Sequence, residues 1–140
     1  MNWTEKLTNQ ECKLLLKFPA YISLLAANRM GELDDTEIKT AIKFSHIKTF
    51  SCDHLLTEFY EEADKVFEDN LLQLDKDLPK EKESRDAAIK KELSNLDKIV
   101  KELGKDYTVT MHNSMKSFTE HVLNAYHNVL VDFIFPFPIK

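Results

Sequence analysis

The amino-acid sequence predicts an all-α fold: a compact, single-domain bundle of five or six helices spanning residues 1–140. Three observations lead there. Only two glycines and four prolines interrupt the chain, which leaves long uninterrupted segments and few turns. Apolar residues recur at three- and four-residue spacing through most of it, the period of one helical face. No stretch alternates apolar and polar residues as a half-buried strand would, and no internal repeat is visible. A domain of 140 residues buries about two-thirds of its unfolded surface, enough for a core without disulfides or metals.

The elements follow in order. Thr8 stands three residues before Glu11, a capping box that opens the first helix, with Trp3 as an aromatic anchor ahead of it. Leu15, Phe18, Ile22 and Leu25 share one face. Pro19 falls inside that pattern and removes an amide, so it kinks this helix or starts another. The sequence favours a short helix to about Lys17 and a second from Pro19 to Arg29. Gly31 supplies the left-handed residue that closes a helix. Asp34 and Glu37 then form an acidic capping box for a third helix, from Asp35 to Phe50. Ile38, Ala41, Ile42, Ile47 and Phe50 are its expected apolar face.

Ser51 is the expected N-cap of a long fourth helix. Its stripe runs Leu56, Phe59, Ala63 and Val66, then Phe67, Leu71, Leu74 and Leu78, with Asn70 marking a bend or break. Pro79 is expected in the first turn of the next helix. That helix carries Ile89, Leu93, Leu96, Val100 and Leu103 and ends at Gly104. A last helix repeats the alternation with Met111, Met115, Phe118, Val122, Ala125 and Val129. These two stripes should pack as an antiparallel hairpin. The tail, residues 133–140, reads as non-helical and apolar. Phe133, Ile134, Phe135, Phe137 and Ile139 either fold back onto the bundle end or contact a protein partner or a second copy.

The pattern of Trp3, Leu7, Thr8, Glu11, Pro19 and the turn from Ala26 to Glu37 resembles the TerB-like (tellurite resistance) family of small helical proteins. Gly31, Leu33 and Glu37 match the family's turn, and Met30 stands where the family has an aspartate. The resemblance covers about the first third of the chain. It implies a helical bundle acting in a stress response, and acidic residues at such turns imply divalent-metal binding.

Charge and cysteine content bound the function class. The net charge of −5 argues against nucleic acid and anionic membranes as partners. Cys12 and Cys52, with no CxxC spacing, read as reduced thiols packed as small buried residues. The N-terminal stretch lacks the basic-then-apolar order of a signal peptide, and no apolar run is long enough to span a bilayer. A cytoplasmic protein is expected.

No catalytic motif is written in the chain: there is no GxSxG, Walker loop or GxGxxG. The acidic residues Glu32, Asp34 and Glu37, with Asp35, could hold a divalent cation, although capping alone accounts for two of them. His46, His54, His112, His121 and His127 show neither HExxH nor the paired Glu-x-x-His of di-iron bundles. His54 and Glu58, one turn apart, could ligate together or simply touch. The charged run from Glu61 to Asp106 reads as the solvated face of two helices. The expectation is therefore a non-enzymatic module acting through protein contacts, with no catalytic or cofactor-binding residues. The alternatives are a divalent-metal-binding protein and an enzyme whose site is assembled from scattered His and Glu residues.

Overall fold

A computed structural model describes residues 3–27 and 33–134, with the backbone alone for 123–134. Six α-helices run through the described residues: α1 (Asn9–Leu15), α2 (Phe18–Ala27), α3 (Asp35–Ser51), α4 (Thr57–Asp77), α5 (Lys82–Lys101) and α6 (Lys105–Ile134). Single 3-10 turns lie at Trp3–Lys6 and His54–Leu56. The fold is all-α, as its periodicity predicts, and no described helix is long and apolar enough to cross a membrane.

The bundle is built around α2. Phe18 through Leu24 are all buried, and Ala26 with them. A helix apolar on every side needs neighbours on every side, and α3, α4, α5 and α6 all pack against it. Pro19 starts this helix rather than kinking it. It is the second residue of α2, where no intrahelical partner is lost. Its carbonyl accepts a hydrogen bond from the Ser23 hydroxyl at 2.9 Å, which satisfies that buried hydroxyl.

Both predicted capping boxes form. The Glu11 amide donates to Thr8 Oγ1 at 3.1 Å and the Thr8 amide to Glu11 Oε1 at 2.9 Å. The Glu37 amide donates to Asp34 Oδ1 at 2.8 Å and the Asp34 amide to Glu37 Oε1 at 3.0 Å. Trp3 is buried and meets the ring of Phe59 edge-on at 5.4 Å, the expected anchor. Gly104 takes a φ of 100°, the left-handed conformation that separates α5 from α6 at little cost. The α5–α6 hairpin is antiparallel. Thr108 Oγ1 donates to the Val100 carbonyl at 3.2 Å, and His112 bonds Asp97 one turn further along. Met111, Met115, Phe118 and Val122 are buried on its inner face.

Four boundaries differ from the sequence reading. Ser51 does not cap α4; it is the last residue of α3. Asp53 caps the 3-10 turn that leads into α4, accepting from the Leu55 amide at 2.9 Å, and α4 itself opens after Leu56 without a side-chain cap. Asn70 does not break α4, which runs on through it with Phe67 and Leu71 held in the core on either side. Pro79 lies outside α5, which begins at Lys82; Leu78 caps α4 with its amide bonded to the Leu74 carbonyl, and the proline follows the stop. Phe133 and Ile134 belong to α6, so the helix extends into the segment read as non-helical. Residues 135–140, Gly31 and Met30 lie outside the described residues.

Candidate functional site

Two corners of the bundle concentrate its buried polar chemistry. At the α4–α5 corner, Asp75 and Arg85 form an ion pair with both side chains almost fully buried. Arg85 also donates to the Asp75 carbonyl at 3.2 Å, and Lys80 donates to the same carbonyl at 2.9 Å. The carboxylate of Asp75 accepts from the Leu33 amide at 3.0 and 3.2 Å. The corner is a closed network. It ties the segment entering α3 to the turn between α4 and α5, and the buried Asp75 and Arg85 charges neutralise each other. Its chemistry is that of a structural clasp.

The α3–α4 corner is built differently. Ala41, Ser45 and Lys48 follow one another at four- and three-residue spacing along the inner stripe of α3, and Cys52 caps the helix just beyond them. The expected apolar face of α3 is thereby split. Ala41 is buried and Ile38 and Ile42 partly so, but Ile47 is 41% exposed and Phe50 80% exposed. The stripe of small and polar residues turns these two side chains outward, since each residue advances about 100° around a helix. Leu55, in the following 3-10 turn, is 42% exposed. Among the described residues the Phe50 ring meets one other ring, that of His46, in a T-shaped contact at 5.4 Å, and His46 in turn bonds Asp64 at 3.0 Å.

Beneath this surface lies Lys48, only 6% exposed. Its Nζ sits 5.9 Å from the centre of the Tyr60 ring, a cation–π arrangement. No ion pair reaches it among the described residues. Burial holds the Lys48 amine below the ordinary lysine range, against an opposing pull from Cys52. Burial pushes the Cys52 thiol up, while its hydrogen bond to Thr57 draws it partly back. Tyr60 Oη lies 2.7 Å from Ser114 Oγ and 3.8 Å from Met115 Sδ. It has one proton, so if it donates to the sulfur the serine must donate to it. Burial raises the Tyr60 phenol strongly, as it does that of Tyr107. Tyr107 Oη is buried with no hydrogen-bond partner.

A separate cleft of about 390 Å³ lies between the N-terminal turn, α1 and the start of α4. Trp3, Cys12, Leu16 and Lys13 form one side, and Glu58, Glu61 and Glu62 the other. Its lining is acidic, with three glutamates against Lys13 as its one basic residue.

The structure does not gather the sequence candidates into one place. Asp34 and Glu37 spend an oxygen each on the capping box, and Glu32 lies outside the described residues. His54 and Glu58 make no hydrogen bond to each other; Glu58 faces the acidic cleft instead. His46 and His112 pair with Asp64 and Asp97, and the His121 ring stacks on Phe44 at 6.4 Å. Among the described residues no three His, Cys, Asp or Glu side chains converge as a metal site would require. Lys48, Tyr60 and Ser114 were not singled out by sequence. The one available signal was that Lys48 continues the Ala41–Ser45 stripe. No family model, curated protein or solved structure matches this chain.

Proposed function

We propose that this chain is a non-enzymatic helical module that works by binding another protein, and that the α3–α4 corner is the surface it presents. One observation carries this reading: α3 buries Ser45 and Lys48 while turning Ile47 and Phe50 outward. Local departures from the apolar-in, polar-out rule concentrate where function competes with stability. A phenylalanine left 80% exposed beside Ile47 and Leu55 is the kind of aromatic anchor that fills a partner's pocket. The polar residues around it, His46 and Asp64, suit the rim of such a contact. A role in a stress response is the context that the TerB-like resemblance of the first third suggests.

The test is site-specific photo-crosslinking inside the cells that make the protein. A photoreactive residue at position 50 should give a discrete higher-mass adduct. The same group at position 65, on the polar face of α4, should not. Equal labelling from both positions, or none from position 50, would contradict the proposal.

A further inference from the structure

We propose that the cleft between the N-terminal turn, α1 and the start of α4 is a binding site for a free basic amino acid, arginine or lysine. The inference is independent of the docking surface, because it rests on a different part of the bundle.

The two sides of the cleft carry opposite charge and are held apart. From α4 come Glu58, Glu61 and Glu62, all exposed. Glu62 is held by Lys65 at 3.0 Å. Glu58 and Glu61 make no ion pair or hydrogen bond among the described residues. On the other side α1 supplies Lys13, which is exposed and likewise has no acidic partner among them. Two carboxylates and one ammonium therefore line one cleft without neutralising each other. A ligand that carries both signs of charge completes such a site, where a simple cation or anion would satisfy one side only.

Trp3 adds a directional contact. It is only 3% exposed and meets Phe59 edge-on. Its indole N–H makes no hydrogen bond among the described residues, and it is not sealed from solvent as Tyr107 Oη is. Trp3 lines the cleft, so the geometry leaves this donor for an acceptor brought by a ligand. An indole N–H can only donate. Together with the Lys13 ammonium it suits a carboxylate.

A free basic amino acid is the complement of this set. Its α-carboxylate takes Lys13 and the Trp3 N–H, and its α-ammonium and side-chain cation take Glu58 and Glu61. Two cations and one anion on the ligand then meet two anions and one cation on the protein. Leu16, also in the lining, offers an apolar wall to the aliphatic stem. The cleft, about 390 Å³, lies at the lower end of the range for small-molecule sites. No bond is made or broken.

The test titrates the whole folded protein with arginine at low salt and follows the fluorescence of Trp3, the chain's one tryptophan. Titration calorimetry on the same solutions reads binding whether or not the ring responds. Arginine and lysine should bind saturably. Agmatine is arginine without its carboxylate, and citrulline is arginine without its side-chain charge. Each should bind about tenfold more weakly, the loss expected of one charge-assisted contact. Lys13→Met should weaken arginine to the level of agmatine and leave agmatine unweakened. Glu58→Gln combined with Glu61→Gln should weaken both. All three side chains are exposed, so these variants keep the fold. No saturable binding of arginine by either readout would overturn the proposal. Agmatine binding as tightly as arginine would overturn it too, since the cleft would then attract any cation. Citrulline binding as tightly as arginine would contradict the role given to the glutamates.

Discussion

The two corners that flank α4 bury positive charge in opposite ways. At the α4–α5 corner Arg85 meets Asp75, two carbonyls lie within reach of its guanidinium, and the carboxylate also holds the Leu33 amide. At the α3–α4 corner Lys48 meets a ring and a thiol, and Phe50 stands in solvent two residues later. A closed network is a device for holding the chain in one arrangement. An unpaired amine under an exposed aromatic adds nothing comparable to stability. The difference teaches where to look for function in a bundle without a catalytic motif: at the corner that folding alone does not explain.

The largest effect should come from breaking the clasp. Arg85→Met leaves the Asp75 carboxylate buried and unpaired, and should cost about 3–5 kcal/mol in denaturant unfolding. The same kind of change at the other corner should have the opposite sign. Lys48→Met keeps an unbranched apolar stem and removes a buried ammonium that has no counter-charge among the described residues, and should gain about 1 kcal/mol. Tyr107→Phe removes a buried hydroxyl that has no partner, and should also gain about 1 kcal/mol. A loss of stability in either variant would show that these groups are better satisfied than the geometry indicates.

Alkaline pH should sharpen the contrast. Tyr21, Tyr60, Tyr107, Cys12 and Cys52 all have raised pKa values, with burial as the leading cause. Such a group contributes stability that is present below its unfolded pKa and lost as pH rises through the folded one. The urea midpoint should therefore fall as pH rises above about 8.5 for the thiols and about 10 for the phenols. Lys48 runs the other way. Its lowered value is a penalty at neutral pH that is relieved as pH rises towards the unfolded value of about 10.4. Lys48→Met should consequently make the alkaline decline steeper.

Legibility in the sequence follows the range of the interaction. Thr8 with Glu11, and Asp34 with Glu37, act across three residues, and their pattern is complete in the sequence. Gly104 announces its own turn. The central position of α2 is written in its all-round apolarity. Ser51 misled because Asp53, two residues on, is an equally good cap, and only packing decides between them. The Asp75–Arg85–Leu33 clasp joins residues 10 and 42 positions apart, beyond any local pattern. Lys48 was hidden for a further reason. Lysine normally marks a solvated face, and α3 is so weakly amphipathic that Ile47 and Phe50 looked the better candidates for burial. The metal reading of Glu32, Asp34 and Glu37 rests on the acidity of the turn and on the family resemblance; the described structure gives two of these carboxylates a capping role.

The smallest effect on stability belongs to the residue that matters most to the proposed function. Phe50→Asp changes an exposed side chain and should move the unfolding free energy by less than about 0.5 kcal/mol. The most direct measurement is therefore a paired one on that variant: its thermal unfolding, and its co-purification with whichever protein crosslinks to position 50 of the parent chain. An unchanged melt with the partner lost is the predicted result. An unchanged melt with the partner retained would show that the α3–α4 corner is not the surface through which this protein acts.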